Sequence, residues 1–258
     1  MATELALWNL FDFPMNQQIS SREFSNLLLH ATISDKTLCN LPLNANCVAE
    51  RNKGNISLSY VEGHYIRKLL SFVFENRWNY KIIELTSRMP EPIMANNKDK
   101  VTYYVSSTAK IQLDITWEDG SETRYEDVGH GSGTSYSSIG DAFESAEKEA
   151  VTDALKRAAV NLGDSFGLVL YHKIRPLSRC RSFLPADALN AIKKLTAEDK
   201  ELSIAVGKFL LRFLKKTDIQ EATEPYELVV ICEVYRFITK LKDNMVITND
   251  TRKPLPIS

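Results

Sequence analysis

Several familiar signatures are missing from these 258 residues, and each absence removes a class of function. No run approaches the roughly 20 consecutive apolar residues that a membrane-spanning helix needs. No basic leader followed by an apolar stretch opens the chain, so neither a membrane partner nor secretion is expected. There are only four cysteines, Cys39, Cys47, Cys180 and Cys232, with no CxxC spacing and no nearby histidine. That pattern fits neither a disulfide framework nor a zinc site, and reads as packed, reduced thiols of an intracellular protein. His64 and His130 lack a nucleophile or metal-ligand set around them and read as structural. The phosphate-binding pattern GxxxxGK[ST] is absent, since no lysine follows Gly140 until Lys148, so ATP hydrolysis is not expected. A Pro-x-Asp at 185–187 followed by Glu198-x-Lys200 has the letters of a metal nuclease. The helical periodicity around it argues for coincidence, so neither metal nor cofactor is expected. Charge of one sign is lacking too: the net charge is −1. Residues 176–258 hold 14 Lys+Arg against 11 Asp+Glu, leaving 18 against 22 for residues 1–175. Any affinity for a polyanion must therefore come from local placement of cations.

What is present describes a globular chain of one domain with appendages, or of two small ones, with 44% apolar and 25% charged residues. Residues 1–17 carry too many leucines and phenylalanines for a free tail and are expected to dock on the domain or on a neighbouring subunit. Ser20 and Glu23 form a Ser-x-x-Glu capping box for a helix to about Leu29. The run to Ala49 reads as an irregular, packed connector. Residues 55–61 alternate as a half-buried strand, 62–76 have helical periodicity, and 78–85 read as a second strand. Residues 88–100, with two prolines, read as a loop. Residues 101–117 and 123–128 read as strands joined through Asp119-Gly120, a hairpin signal. The order implies an α+β fold, an antiparallel sheet with its main helix packed across one face. Residues 185–195, 197–215 and 226–242 have helical periodicity, with Thr196-Ala-Glu-Asp as a start signal, and the polar 249–258 should fray.

The chain is organised around residues 126–171, EDVGHGSGTSYSSIGDAFESAEKEAVTDALKRAAVNLGDSFGLVLY. Four of the ten glycines fall between Gly129 and Gly140, interleaved with serines, and read as a loop able to bring backbone close to a partner. The helix that follows gathers Phe143, Ala146, Ala150, Val151, Ala154, Leu155, Ala158 and Leu162 on one side. Lys148, Thr152 and Lys156 form an i, i+4, i+8 row on the other, and Arg157 flanks the apolar stripe beside Asp153.

EDVG with its glycine-rich stretch, then KEAVTDALKRA and a GxxxG ending, resembles the single-strand annealing proteins of the Rad52 type. With SYVEGH at 59–64 the resemblance covers roughly residues 45–175. It implies that the loop leads into a helix whose Lys156-Arg157 pair faces single-stranded DNA. It also implies that Arg51, before the first strand, and Tyr60 belong to the same groove, with Lys148 and Thr152 on the same helix face. Each residue has a plainer reading. Asp153 could neutralise Arg157 within the helix, Glu144 could neutralise Lys148, Glu50 stands beside Arg51, and Tyr60 could be a core tyrosine. Val160 occupies a place where family members often carry another basic residue. Thr102 and the serines stand where they bring cations to a second DNA surface, and Lys98 and Lys100 are the substitutes at hand.

These readings divide the chain into an N-terminal oligomerisation segment (1–44), a DNA-binding core (45–175) and a helical C-terminal region (176–258). They imply a non-enzymatic, ATP-independent protein of homologous recombination and double-strand-break repair. Its partners would be single-stranded DNA, the complementary strand and further copies of itself in a ring or helical homo-oligomer. A single-strand-binding protein or a nuclease would meet the C-terminal helices. The compartment would be cytoplasm or nucleoid in a prokaryote or phage, and nucleus in a eukaryote. The alternative is a recruitment module that keeps the fold and has lost annealing.

Overall fold

The computed structural model describes residues 8–54, 56–94, 101–171, 190, 192–194, 197–242 and 245–246. Lys98, Lys100, Cys180, Thr196, the Pro-x-Asp at 185–187, most of the helix expected over 185–195 and the frayed end at 249–258 lie outside them. The chain divides into two compact units, Asp35–Ser182 and Met1–Ser34 together with Phe183–Ser258.

The second of these units begins with β1 (Trp8–Asn9), β2 (Ile19–Ser20), α1 (Ser21–Leu28) and β3 (Ala31–Thr32). Ser20 and Glu23 cap α1 reciprocally, as the capping box requires. Leu10, Phe24 and Leu28 are fully buried, and Phe11 packs edge-on against Phe237 with ring centres 5.4 Å apart. The Arg212 guanidinium donates to the carbonyls of Leu28, Leu29 and Ala31, satisfying acceptors that the end of α1 leaves open.

The unit Asp35–Ser182 holds α2 (Asp35–Cys39), the antiparallel hairpin β4 (Val48–Lys53) and β5 (Ile56–Val61), and α3 (Gly63–Phe74). Then follow β6 (Trp78–Ser87), β7 (Glu91–Met94), β8 (Val101–Thr116), β9 (Glu122–Ser135) and the 22-residue helix α4 (Ile139–Val160). Strand β8 is the spine of the sheet. It pairs antiparallel with β6 and β7 along one side and with β9 along the other. Helix α4 lies across β9 and β8. From Val105 to Ile115 the odd residues of β8 are all buried beneath the helices, while the even side chains form a polar outer face. Tyr65, Ile66, Leu69, Leu70, Val73 and Phe74 bury the inner stripe of α3.

Further along the chain come α5 (Lys200–Leu214) and α6 (Pro225–Lys242), followed by β10 (Met245–Val246) paired with β2. The start of α5 is capped by Asp199, whose carboxylate accepts from the Leu202 amide at 2.9 Å, so the start signal lies later than Thr196. Among the described residues no helix is long and apolar enough to cross a membrane.

Several expectations change. The glycine-rich stretch is not a loop as far as Ser135: β9 runs on through Gly129, Gly131 and Gly133, all paired with β8. Residues 88–100 contain β7, whose Pro92 is tolerated because the strand sits at the edge of the sheet. The connector before Ala49 contains α2, and Arg51 lies within β4 rather than before the first strand.

The three glycines sit where no other residue fits. A Cβ at Gly129 would lie 2.1 Å from the Ala154 amide nitrogen. At Gly131 it would lie 2.1 Å from the Ala146 carbonyl oxygen, and at Gly133 2.0 Å from that of Ala142. Two residues of strand advance about 6.7 Å, and four residues of helix advance about 6 Å. The glycine period of two and the alanine period of four therefore keep step over three repeats, with strand and helix running in opposite directions. Helix backbone rests on strand backbone, and α4 is held with almost no latitude.

Candidate nucleic-acid interface

The hairpin and α4 supply the side chains that the sequence singled out. In the β4–β5 ladder Ala49 pairs with Tyr60 and Arg51 with Leu58, so Arg51, Leu58 and Tyr60 share one face. The Lys156 ammonium stands 5.2 Å from the centre of the Tyr60 ring, a cation–π contact. Arg51 reaches Glu149 of α4 at 3.6 Å. Thr152 packs its methyl against Gly63 so closely that a Cβ there would lie 2.3 Å away. That contact accounts for the glycine of the SYVEGH stretch, which opens α3 beside the middle of α4.

The structure thus brings Arg51, Tyr60, Thr152 and Lys156 together along one side of α4. Arg157 joins Lys156 and Tyr60 around a shallow open pocket whose mouth also includes Tyr171, 65% exposed. Lys148 lies two turns away, tied to Glu144 in the same helix as the spacing suggests. That contact holds the Glu144 carboxyl below its ordinary pKa. Tyr60 is half-buried, neither a core tyrosine nor a free one.

Every one of the four cations has a carboxylate partner. Arg157 does not use Asp153 four residues earlier. Its Nε donates to Asp127 of β9 at 3.0 Å, and this hydrogen bond raises the guanidinium pKa above its usual value. Asp153 instead lies 3.8 Å from Lys156. The group is locally neutral, four cations against Glu144, Glu149, Asp153 and Asp127.

Two of these carboxylates have a second task. Along β9 the amides of His130 and Ser132 donate to side chains of α4, on an edge that pairs with no further strand among the described residues. Asp153 accepts from the His130 amide at 3.2 Å, and Glu149 from the Ser132 amide at 2.7 Å. The same pairing of two strand residues with four helix residues that seats the glycines brings each carboxylate to an open N–H. Helix α4 thereby closes part of an edge that could otherwise pair with another strand. Sequence reading missed this role because a carboxylate reaching a strand amide leaves no periodic signal.

Two of the cysteines are packed away from reaction: Cys39 is fully buried, and burial pushes its thiol up to about 12. Burial likewise pushes the thiol of Cys232 up to about 11. Among the described residues no three His, Cys, Asp or Glu are grouped to hold a metal.

Residues 36–177 match the model of the Rad52/22 family of double-strand break repair proteins, over more than half of the chain. The chain is 33% identical over 121 residues to the DNA repair and recombination protein rad22 of Schizosaccharomyces pombe, covering 46% of this chain and 24% of that one. It is 30% identical over 155 residues to RAD52 of Eremothecium gossypii, covering 59% and 33%. A third relative, rti1 of S. pombe, is 32% identical over 136 residues, covering 52% and 34%. The matches therefore span about a quarter to a third of the length of these relatives.

Proposed function

Because the chain belongs to the Rad52/22 family of double-strand break repair proteins, we propose that it acts in DNA repair and recombination by binding single-stranded DNA and annealing complementary strands without ATP. Lys156 and Arg157 hold phosphates, Lys148 and Arg51 extend the track, and the Thr152 hydroxyl adds a neutral donor. Tyr60 backs Lys156 and offers an aromatic edge to the strand. The observation that supports this reading most is the pairing of Lys156 with Tyr60, beside Arg157, on a helix seated backbone-to-backbone on its sheet. Charge grips sugar-phosphate whatever the bases, and a rigid helix keeps the grip aligned while Watson–Crick edges stay free.

A few cations per chain bind weakly, so the working form is a homo-oligomer that repeats the track around a ring or helix. Exposed apolar side chains support self-association: Ile82 and Ile83 are about half exposed on the edge strand β6, where the register shifts, and Leu85 lies nearby. The protein works in whichever compartment holds its host's DNA.

Fluorescence anisotropy with labelled oligo-dT over a salt series, beside a strand-annealing assay, tests the reading. Affinity should fall with rising salt, and Lys156→Ala or Arg157→Ala should each lower the slope of log K by about 0.7. Variants that bind and anneal like the parent would remove these two residues from the interface. Ile83→Glu should give smaller particles in mass photometry; unchanged particles would move the self-association surface elsewhere.

The local neutrality of the cation cluster favours a second reading, a recruitment module that binds a recombination partner through the helices of its other unit. A protein that forms the assembly yet anneals no faster than buffer would support it.

A further inference from the structure

We propose that Asp127, Glu149 and Asp153 are standing competitors of DNA phosphate, occupying the cations of the groove between binding events and limiting how tightly a strand is held. The inference rests on the DNA-binding reading and goes further, since it assigns a role to the acidic side of the site.

Three observations carry it. First, the pairing is systematic: Arg157 with Asp127, Lys156 with Asp153 and Arg51 with Glu149. Second, the carboxylates are fixed from behind. The Val128 amide donates to Asp127 at 2.8 Å, that of His130 to Asp153, and that of Ser132 to Glu149. A carboxylate tied to strand backbone cannot swing aside when a phosphate arrives, unlike the mobile partner of an ordinary surface ion pair. Third, the pairs are at least partly open to solvent, with the Arg51, Arg157 and Lys156 side chains 66%, 49% and 25% exposed. An approaching phosphate can therefore reach each cation, but it must share it with an anion that stays in place.

The consequence is a deliberately moderate grip. A bare Lys-Arg row would bind phosphates more tightly and give them up more slowly. Annealing needs release, because the duplex must leave once the bases have paired. Fixed carboxylates lower the affinity of each contact and leave the number of contacts, and so the alignment of the strand, unchanged.

The test uses Asp127→Asn, Glu149→Gln and Asp153→Asn, singly and combined. Each amide keeps an oxygen to accept the strand N–H while losing its charge. Glu122→Gln, at the exposed start of β9, removes one charge elsewhere and controls for net charge. Oligo-dT anisotropy is measured over a salt series, with thermal melting to confirm that each variant is folded. Each site variant should bind roughly three- to tenfold more tightly than the parent. The log K–log salt slope should stay close to the parent's, because the number of phosphates neutralised, each contributing about 0.7, does not change. The triple variant should retain duplex longer, seen as slower turnover in annealing. Folded site variants that bind no more tightly than Glu122→Gln would overturn the proposal. A parent protein with no salt-sensitive affinity for oligo-dT would overturn the DNA-binding reading, and this inference with it.

Discussion

The two long sides of α4 are governed by different physics. Against β9 the helix presents Ala142, Ala146, Ala150 and Ala154 to three glycines, all four alanines are fully buried, and the backbones touch. Toward the β4–β5 hairpin it presents Glu149, Thr152, Asp153 and Lys156, all half-exposed, with Glu149 reaching Arg51 at 3.6 Å and Lys156 lying 5.2 Å from the Tyr60 ring. One side fixes position through the absence of atoms. The other sets carboxylates tied to strand backbone beside cations that remain open to a second anion. A protein that must hold a polymer in register and still release it needs both on one rigid element.

The sharpest way to break this contrast is Gly131→Ala. The new methyl would meet the Ala146 oxygen and the Ala150 nitrogen, both backbone, which cannot yield as a side chain can. A loss above about 3 kcal/mol is expected, at or beyond the top of the usual overpacking range. Circular-dichroism melting should show this domain unfolded or strongly destabilised; a melting point near the parent's would mean that strand and helix are farther apart.

A buried ion pair in the same unit gives the next largest effect. Asp35 is 5% exposed and takes two hydrogen bonds from Arg77, at 2.6 and 3.1 Å, and one from the Glu118 amide at 3.0 Å. These bonds to Asp35 are the main reason the Arg77 pKa lies above its ordinary value. Asp35→Ala leaves both donors without their acceptor. It should cost about 3 kcal/mol in urea denaturation, the low end for a broken buried pair because Arg77 is partly hydrated.

Smallest should be the stability effect of Arg157→Ala, within about 1 kcal/mol, since its pair with Asp127 is half-exposed. The same substitution should lower affinity for DNA clearly. A large stability loss with unchanged binding would invert the distinction between the two sides of the helix.

Much of the core could be read directly because its elements are periodic. The capping box of α1, the stripe of α3 and the alternation of β8 bury the side chains that their spacing indicates. Strand β4, with the sequence VAERNK, lacks a clean alternation and is defined by its ladder with β5. The glycine stretch was misread for a definite reason. Glycine disfavours strands when judged alone, because it loses entropy and brings no side chain to pack. Here its lack of a side chain is what admits the helix.

The local pattern of residues was enough to determine the amphipathic helix, the cations along it and the antiparallel sheet, because these depend on spacing within a few residues. Which carboxylate meets which cation depended on chain folding. Asp153 is nearest to Arg157 in sequence, but Asp127, thirty residues away, is the one that binds it. Only tertiary structure could decide that, since the energy of an ion pair follows distance through space and β9 carries Asp127 back beneath the end of α4.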